Sequence, residues 1–354
     1  MRKLDVVVVG GGQAGLAAGR LLVEAGTRLA VLDAQKTTGD SWRRRYQGLT
    51  LFTPREYSAL SGMAIPGDPG GYPDKDEFAD YLEAYARQFR IPVRSGCTTT
   101  SVERDVSGAF RVTGEGFDPI IADAVVIAAG GFRNPIKPSW AATCTIPQFA
   151  VDELGDFERL PSGPLLVVGD GASGRDVAAL NVPHRPVLIS TGRSRKLLPE
   201  RILGRSLWWW LDVTGLVRAP TGSFLGKRMR AVDPFPNRQR DLDDLTSAGI
   251  EIRPRAIGAE GRIVRFADGS TLEPAAIIWA IGYKPDWSFI QVDGALDERG
   301  GILHHQGVSP VEGLYFAGLP WQRNRASGLV MGASEDAALV VDHLLRRALS
   351  TDTV

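Results

Sequence analysis

A chain of 354 residues, 44% of them hydrophobic, is long enough for two domains with sizeable cores. Lysine plus arginine number 41, as do aspartate plus glutamate, so no global charge argues for nucleic acid or for an anionic membrane surface as a partner. The two cysteines, Cys97 and Cys144, stand far apart without a CxxC, which argues against a disulfide framework, a zinc site and a dithiol redox motif.

The expectation for those cysteines is two small buried or half-buried thiols in a reducing cytoplasm, with no metal. The first long apolar run is too short to span a bilayer and lacks a cleavage site, so neither a signal peptide nor a membrane segment is expected.

That first run, Val6-Val7-Val8-Val9, reads as a strand buried on both faces. Gly10, Gly12 and Gly15 follow as GxGxxG, and helical spacing continues through Leu16, Ala17, Leu21 and Leu22. Each glycine has its reason. Gly10 permits the tight turn, Gly12 lets a pyrophosphate approach the backbone, and Gly15 lets helix pack on strand. The helix N-terminus offers N–H groups and positive potential to phosphates. A second strand, Leu29 to Leu32, ends in Asp33, roughly 20 residues on, where an acid can bind a ribose 2′-OH. A lone GxGxxG is weak, and a Gly-rich turn would explain it. Here strand, glycines, helix, second strand and acid agree on a dinucleotide site.

The stretch Thr38 to Pro54 carries the basic run Arg43-Arg44-Arg45 but also Trp42, Tyr46 and Phe52, which predicts a segment folded over a cofactor rather than a bare surface loop. After a turn-rich stretch from Pro66 to Pro73, Asp74 and Glu77 form an acidic capping box. Phe78, Tyr81, Leu82, Tyr85 and Phe89 follow at helical spacing, the pattern of a helix packed on a sheet. Strands are predicted near Val93, at Phe110–Val112 and at Ala124–Ala129, the last ending in Gly130-Gly131.

Residues 134 to 164 read as an interdomain connection. Leu165 to Val168 then lead into Gly169-Asp170-Gly171-Ala172-Ser173-Gly174, a second GxGxxG between strand and helix. The next strand, Val187 to Ser190, runs into Arg193, Arg195 and Lys196, a cationic cluster suited to the 2′-phosphate of NADP; a solvated basic loop is the alternative. Trp208-Trp209-Trp210 lie in a helical-looking segment from Ser206 to Leu216. Adjacent residues cannot share one helix face, so at least one indole should be half exposed, at a domain interface, a dimer contact or a substrate channel. Strands at Ile263–Phe266 and Ala276–Ala280, a return strand at Gly313–Gly318 and a helix from about Ser334 to Arg347 complete the chain.

These elements predict an α/β protein with two Rossmann-like dinucleotide-binding domains, one inserted in the other. Residues 1–145 and 276–354 form a discontinuous FAD-binding domain, 162–275 an NADPH-binding domain and 146–161 a linker.

In Gly10–Leu16, Gly39–Arg43, Leu49–Pro54, Tyr72–Lys75, Leu197–Pro199, Trp279–Asp286 and Gly313–Gln322, the sequence resembles the single-component flavin-containing monooxygenases. It is most like the bacterial flavoproteins once labelled for potassium transport and the plant indole-pyruvate monooxygenases. The resemblance covers nearly the whole chain. It implies that NADPH reduces FAD, that reduced flavin and oxygen form a flavin hydroperoxide, and that this species oxygenates a small organic substrate. It also implies roles. Gly10, Gly12, Gln13, Ala14 and Gly15 would hold the FAD pyrophosphate, Asp33 its ribose and Thr99 its adenine through the backbone. Trp42 would lie near the flavin, and Gly130 and Gly318 would allow close approach. Gly169, Gly171, Ser173 and Gly174 would hold the NADPH pyrophosphate and Arg193 its 2′-phosphate. Nothing in it calls for nucleic acid or a membrane; a homodimer is compatible.

Four places depart from the family pattern. Ala150 and Leu154 stand where relatives carry histidine and tyrosine. Asp170 and Ala172 occupy the second glycine loop. Ala280-Ile281-Gly282 and Ala128-Ala129-Gly130 replace Ala-Thr-Gly. If the Asp170 carboxylate faces the phosphates, it repels them; if it turns toward Arg175, it does not. Two rival readings follow: an FAD-dependent oxidase, dehydrogenase or isomerase without productive nicotinamide binding, and a non-catalytic flavin-binding redox sensor.

Overall fold

A computed structural model describes residues 3–192, 197–232 and 235–351. The valine strand, Leu4–Val9, sits inside an eight-stranded sheet, parallel to Leu29–Asp33 on one side and to Ile120–Ile127 on the other. With two strand neighbours and covered faces, Val6 to Val9 are at most 5% exposed, which is why the run shows no polar alternation. The sheet continues through Val93–Ser95 at one edge. On the other side, Ile120–Ile127 pairs antiparallel with Phe110–Glu115 through its first half and parallel with Leu314–Phe316 through its second. The return strand therefore rejoins the first sheet, as the sequence predicts.

A helix at Gln13–Glu24 and a long C-terminal helix at Val330–Thr351 cover one face. Leu16, Leu22, Val340, Val341 and Leu344 share that core. The C-terminal helix starts four residues before the expected Ser334. The aromatic helix is Lys75–Gln88, and Asp74 and Glu77 close its capping box in both directions. Phe78, Tyr81 and Tyr85 are buried, as their spacing requires.

The second sheet has five parallel strands in the order Glu251–Arg253, Val187–Ser190, Leu165–Val168, Ala276–Trp279, Gln148–Ala150. Two strands fall on the other side of the expected boundaries. Ala276–Trp279, expected in the first domain, lies between Leu165–Val168 and Gln148–Ala150. Gln148–Ala150, expected in a linker, is an edge strand. All four residues Ala276 to Trp279 are at most 2% exposed; such a run fits the middle of either sheet equally well, so pairing alone decides. The connection from 134 onward is otherwise irregular, with Asn134–Pro135 pairing antiparallel to Tyr283–Lys284 where the two interdomain crossings run side by side.

The tryptophan segment is shorter than expected. Its helix is Leu207–Val213, Gly215 takes a left-handed φ of 71°, and a 3-10 turn follows at Leu216–Arg218. Glycine at this position ends a helix without side-chain strain. Trp208 is fully buried while Trp209 and Trp210 are half-buried, so the three do divide their exposure. The Trp208 Nε1–H donates to the Phe52 carbonyl at 2.7 Å and its ring stacks on Phe52.

Candidate dinucleotide sites

The two glycine loops are built alike. Gly10 and Gly169 both take φ of +109°, and a Cβ on either would lie 2.4–2.5 Å from a carbonyl of a crossing strand end, Ala128 O or Ala280 O. A Cβ on Gly15 would lie 1.9 Å from Gly10 O, and one on Gly174 2.0 Å from Gly169 O. These four glycines are packing requirements. Gly12 and Gly171 differ: a Cβ there would have no neighbour within 4 Å, and both have extended backbone. Each is the N-cap of its helix, Gln13–Glu24 or Ala172–Asn181, and no side chain caps either. The open space in front of bare helix N–H groups is what a pyrophosphate needs.

At the first loop, Asp33 ends its strand 7% exposed, beside Gly11. Its Oδ1 accepts from Gln35 N–H at 3.1 Å and burial raises its pKa. Its carbonyl accepts from Cys97 N–H. Two residues on, Thr99 is buried and its hydroxyl finds no hydrogen-bond partner among the described residues. A buried polar atom left in this state calls for a partner the protein does not supply. Gly318, φ +78°, crosses Ala14 so closely that a Cβ would lie 2.7 Å from the Ala14 Cβ. Gly130, beyond the Ala128 crossing, is exposed with open space around it. Acceptor, orphaned hydroxyl, open glycines and bare helix end thus lie about the first glycine loop, and they fit an adenine dinucleotide.

Trp42 lies on a short helix, Asp40–Arg43, where its indole N–H meets Gln13 Oε1 at 3.3 Å and its ring stands edge-on to Phe78 at 4.8 Å. The basic run is used. Arg43 pairs with Asp40, Asp80 and Glu83, and Arg45 lies over Trp42 and Phe132. Tyr46 reaches across to the second domain. Its hydroxyl, 3.2 Å from Asp176 Oδ2, bonds the helix that follows the second glycine loop, and Arg240 completes the group at 3.1 Å from Asp176. Burial raises the pKa of both Tyr46 and Asp176. At the second crossing, Tyr283 donates to Asp152 at 2.5 Å. Among the aromatics of the basic stretch, nothing in spacing singles out Tyr46 as the one that bridges, because its partner is 130 residues away.

At the second loop, Asp170 turns inward. It is 4% exposed, its Oδ2 lies 3.2 Å from the guanidinium of Arg175, itself 3% exposed, and its Oδ1 accepts weakly from Gly192 N–H at 3.4 Å. Arg175 also donates to the carbonyls of Asp170 and Arg240. The carboxylate is therefore matched inside the fold: of the two orientations open in the sequence, it takes the one toward Arg175 and away from the loop's open space. Ala150 and Leu154 are fully buried core residues rather than groups lining the cleft. Ser173 stands half-buried in the helix's first turn. Arg193, Arg195 and Lys196 lie outside the described residues. Cys97 and Cys144 are both buried, in separate core clusters.

Residues 7–187 match the family model described as pyridine nucleotide-disulphide oxidoreductase. The chain belongs to that family. It is 38% identical over 346 residues to an uncharacterized CzcO-like oxidoreductase of Geobacillus kaustophilus, covering 97% of this chain and 98% of the other. It is 28% identical over 376 residues to the indole-3-pyruvate monooxygenase YUCCA1 of Oryza sativa, covering 94% and 89%. Its fold is similar to that of a flavin-containing monooxygenase from Stenotrophomonas maltophilia, with a TM-score of 0.80 at 21% identity, covering 98% and 100%. The protein is a flavin-dependent oxidoreductase, and the resemblance read in the sequence to the flavin monooxygenases holds. Despite the family's name, its two separated thiols offer no dithiol pair.

Gly12→Val adds a side chain into space that the fold leaves open, so the variant should fold, purify colourless and unfold at the midpoint of the wild-type protein stripped of FAD. Gly15→Val drives a side chain into Gly10 O and should instead lose the fold. A yellow Gly12→Val protein, or a stable Gly15→Val protein, would contradict this assignment. Asp170→Ala strands a buried guanidinium, a change that costs about 3–5 kcal/mol. It should lower the thermal midpoint and weaken NADPH binding, measured by calorimetry. Tighter NADPH binding at unchanged stability would restore the repulsion.

Proposed function

We propose that the protein is an FAD-dependent monooxygenase that draws electrons from NADPH and places one atom of dioxygen into a small organic substrate. The observation that carries this reading is the pair of matching cradles, braced against each other by Tyr46 and Asp176. FAD belongs to the first cradle. The N–H groups behind Gly12, Gln13, Ala14 and Gly15 receive its pyrophosphate, Asp33 accepts from its ribose, and Thr99 faces its adenine. Gly130 leaves its path open, Gly10 and Gly318 let neighbouring chain approach closely beside it, and Trp42, fixed by Gln13 and Phe78, borders the flavin. NADPH belongs to the second, with Gly169, Gly171, Ser173 and Gly174 around the pyrophosphate and Arg193 on the 2′-phosphate. The first sheet is thus the FAD-binding domain and the second the NADPH-binding domain.

Bound FAD supplies the redox and oxygen chemistry. The chain's own part is to bind, orient and exclude water. Arg45 lies over Trp42 and Phe132, and the Tyr283–Asp152 bond ties the two crossings together. Two buried free thiols suit a cytoplasmic setting. The name of the rice relative makes 2-oxo acids such as indole-3-pyruvate the first substrates to try.

With labelled dioxygen and a panel of 2-oxo acids and thioethers, one NADPH should be used for each labelled oxygen atom found in product. Arg193→Ala should raise the KM for NADPH about 10- to 150-fold, the worth of one charge-assisted contact, and leave that for NADH unchanged. Hydrogen peroxide as the sole fate of oxygen with every acceptor, or equal losses with both coenzymes, would contradict the reading.

A further inference from the structure

The chain is neutral as a whole, but its charge is unevenly placed. Between the hairpin strand at Arg201 and the helix end at Val232 stand six cations, Arg201, Arg205, Arg218, Lys227, Arg228 and Arg230, and one acid, Asp212. Arg218 pairs with Asp212 and Glu335. Among the described residues the other five have no carboxylate partner.

The same stretch is unusually apolar outside. Ile202, Leu203, Val213, Phe224, Leu225 and Val232 are six of the fifteen large hydrophobic side chains exposed among the described residues, with Leu203 at 88% and Phe224 at 80%. Trp209 and Trp210, T-shaped with ring centroids 4.9 Å apart, are half-buried in the same stretch, and Arg205 lies over Trp209. Isolated exposed apolar residues need no explanation; a concentration of them does.

The helix Phe224–Val232 cannot roll to hide its apolar residues. A Cβ on Gly226 would lie 2.0 Å from Pro220 O, so this residue marks the face pressed against the fold. Met229, on the same face, packs on the cluster of Leu207, Trp208, Leu211 and Val217. Phe224, Leu225, Lys227, Arg228, Arg230 and Val232 are left in solvent.

We propose that the exposed side of the helix Phe224–Val232 is a peripheral docking face for an anionic phospholipid bilayer. The combination of charge and apolarity selects this occupant. A second copy docked about a two-fold axis would set the face against itself and bring unpaired cations together. A nucleic acid would meet the cations but leave Phe224, Leu225 and Val232 without apolar partners. Anionic headgroups meet the cations, and the boundary of the acyl region accepts Phe, Leu and Val, with indoles at the interface. No helix among the described residues is long and apolar enough to cross a membrane; the contact lies in the plane of the interface. The even global charge, which argues against an anionic surface as a partner, hides this local imbalance.

The test is co-sedimentation of the purified holoprotein with vesicles of phosphatidylcholine alone or mixed with phosphatidylglycerol. Binding to the anionic vesicles should exceed that to neutral ones and fall as salt rises. Joint replacement Lys227→Ala, Arg228→Ala and Arg230→Ala should weaken it about fivefold per cation. Phe224→Ser with Leu225→Ser should weaken it by a similar total, at unchanged salt dependence. Flavin content and unfolding midpoint check that each variant is folded. Absence of binding to anionic vesicles, equal binding to neutral ones, or wild-type binding by folded variants would overturn the proposal. So would a concentration-dependent dimer that the Phe224→Ser, Leu225→Ser variant disperses.

Discussion

The structure depends on one close approach made twice. In each domain a helix comes down onto the turn that precedes it, Gly15 against Gly10 and Gly174 against Gly169, at a distance that no side chain survives. In each, the first glycine of the turn also lies under a carbonyl of a neighbouring strand end. These contacts fix the helix axis relative to the sheet, and they leave the intervening glycine open with bare N–H groups behind it. The open space is thus a by-product of packing: the flanking glycines are held tightly, and a Cβ on Gly12 or Gly171 would meet nothing within 4 Å.

The second constraint joins the halves. Residues 38–54 leave the first domain and are held by the second. Tyr46 bonds Asp176, Arg238 donates to the Thr50 carbonyl at 3.1 Å, and Trp208 bonds the Phe52 carbonyl. The segment also carries Trp42, tied to the first residue of the first cradle's helix. One stretch of chain therefore touches both glycine-loop helices. The proposed hydride transfer would require fixed relative placement of two cofactors, and this stretch ties the two glycine-loop helices to each other.

What the sequence reveals is the local part. Buried strand, glycine spacing and capping box are each written within a dozen residues, and the fold reproduces them. What it hides depends on partners far away. The side to which Ala276–Trp279 belongs is decided by hydrogen bonds to Leu165–Val168, and an all-apolar run carries no mark of that choice. Gln148–Ala150 is three residues long, too short for a pattern. The direction of Asp170 is set by Arg175, five residues on, and the sequence poses that question without answering it. Tyr46 is visible as an aromatic, but its role comes from Asp176. The tryptophan helix ends before Leu216 for a local reason that the sequence does carry: Gly215 is a stop signal.

The most direct measurement is anaerobic addition of NADPH, and separately NADH, to the purified yellow protein, followed by flavin absorbance. If two cradles braced by Tyr46 and Asp176 deliver electrons from one cofactor to the other, stoichiometric NADPH bleaches the flavin, and NADH does so only at much higher concentration. A flavin that stays oxidised at saturating levels of both coenzymes would contradict the account.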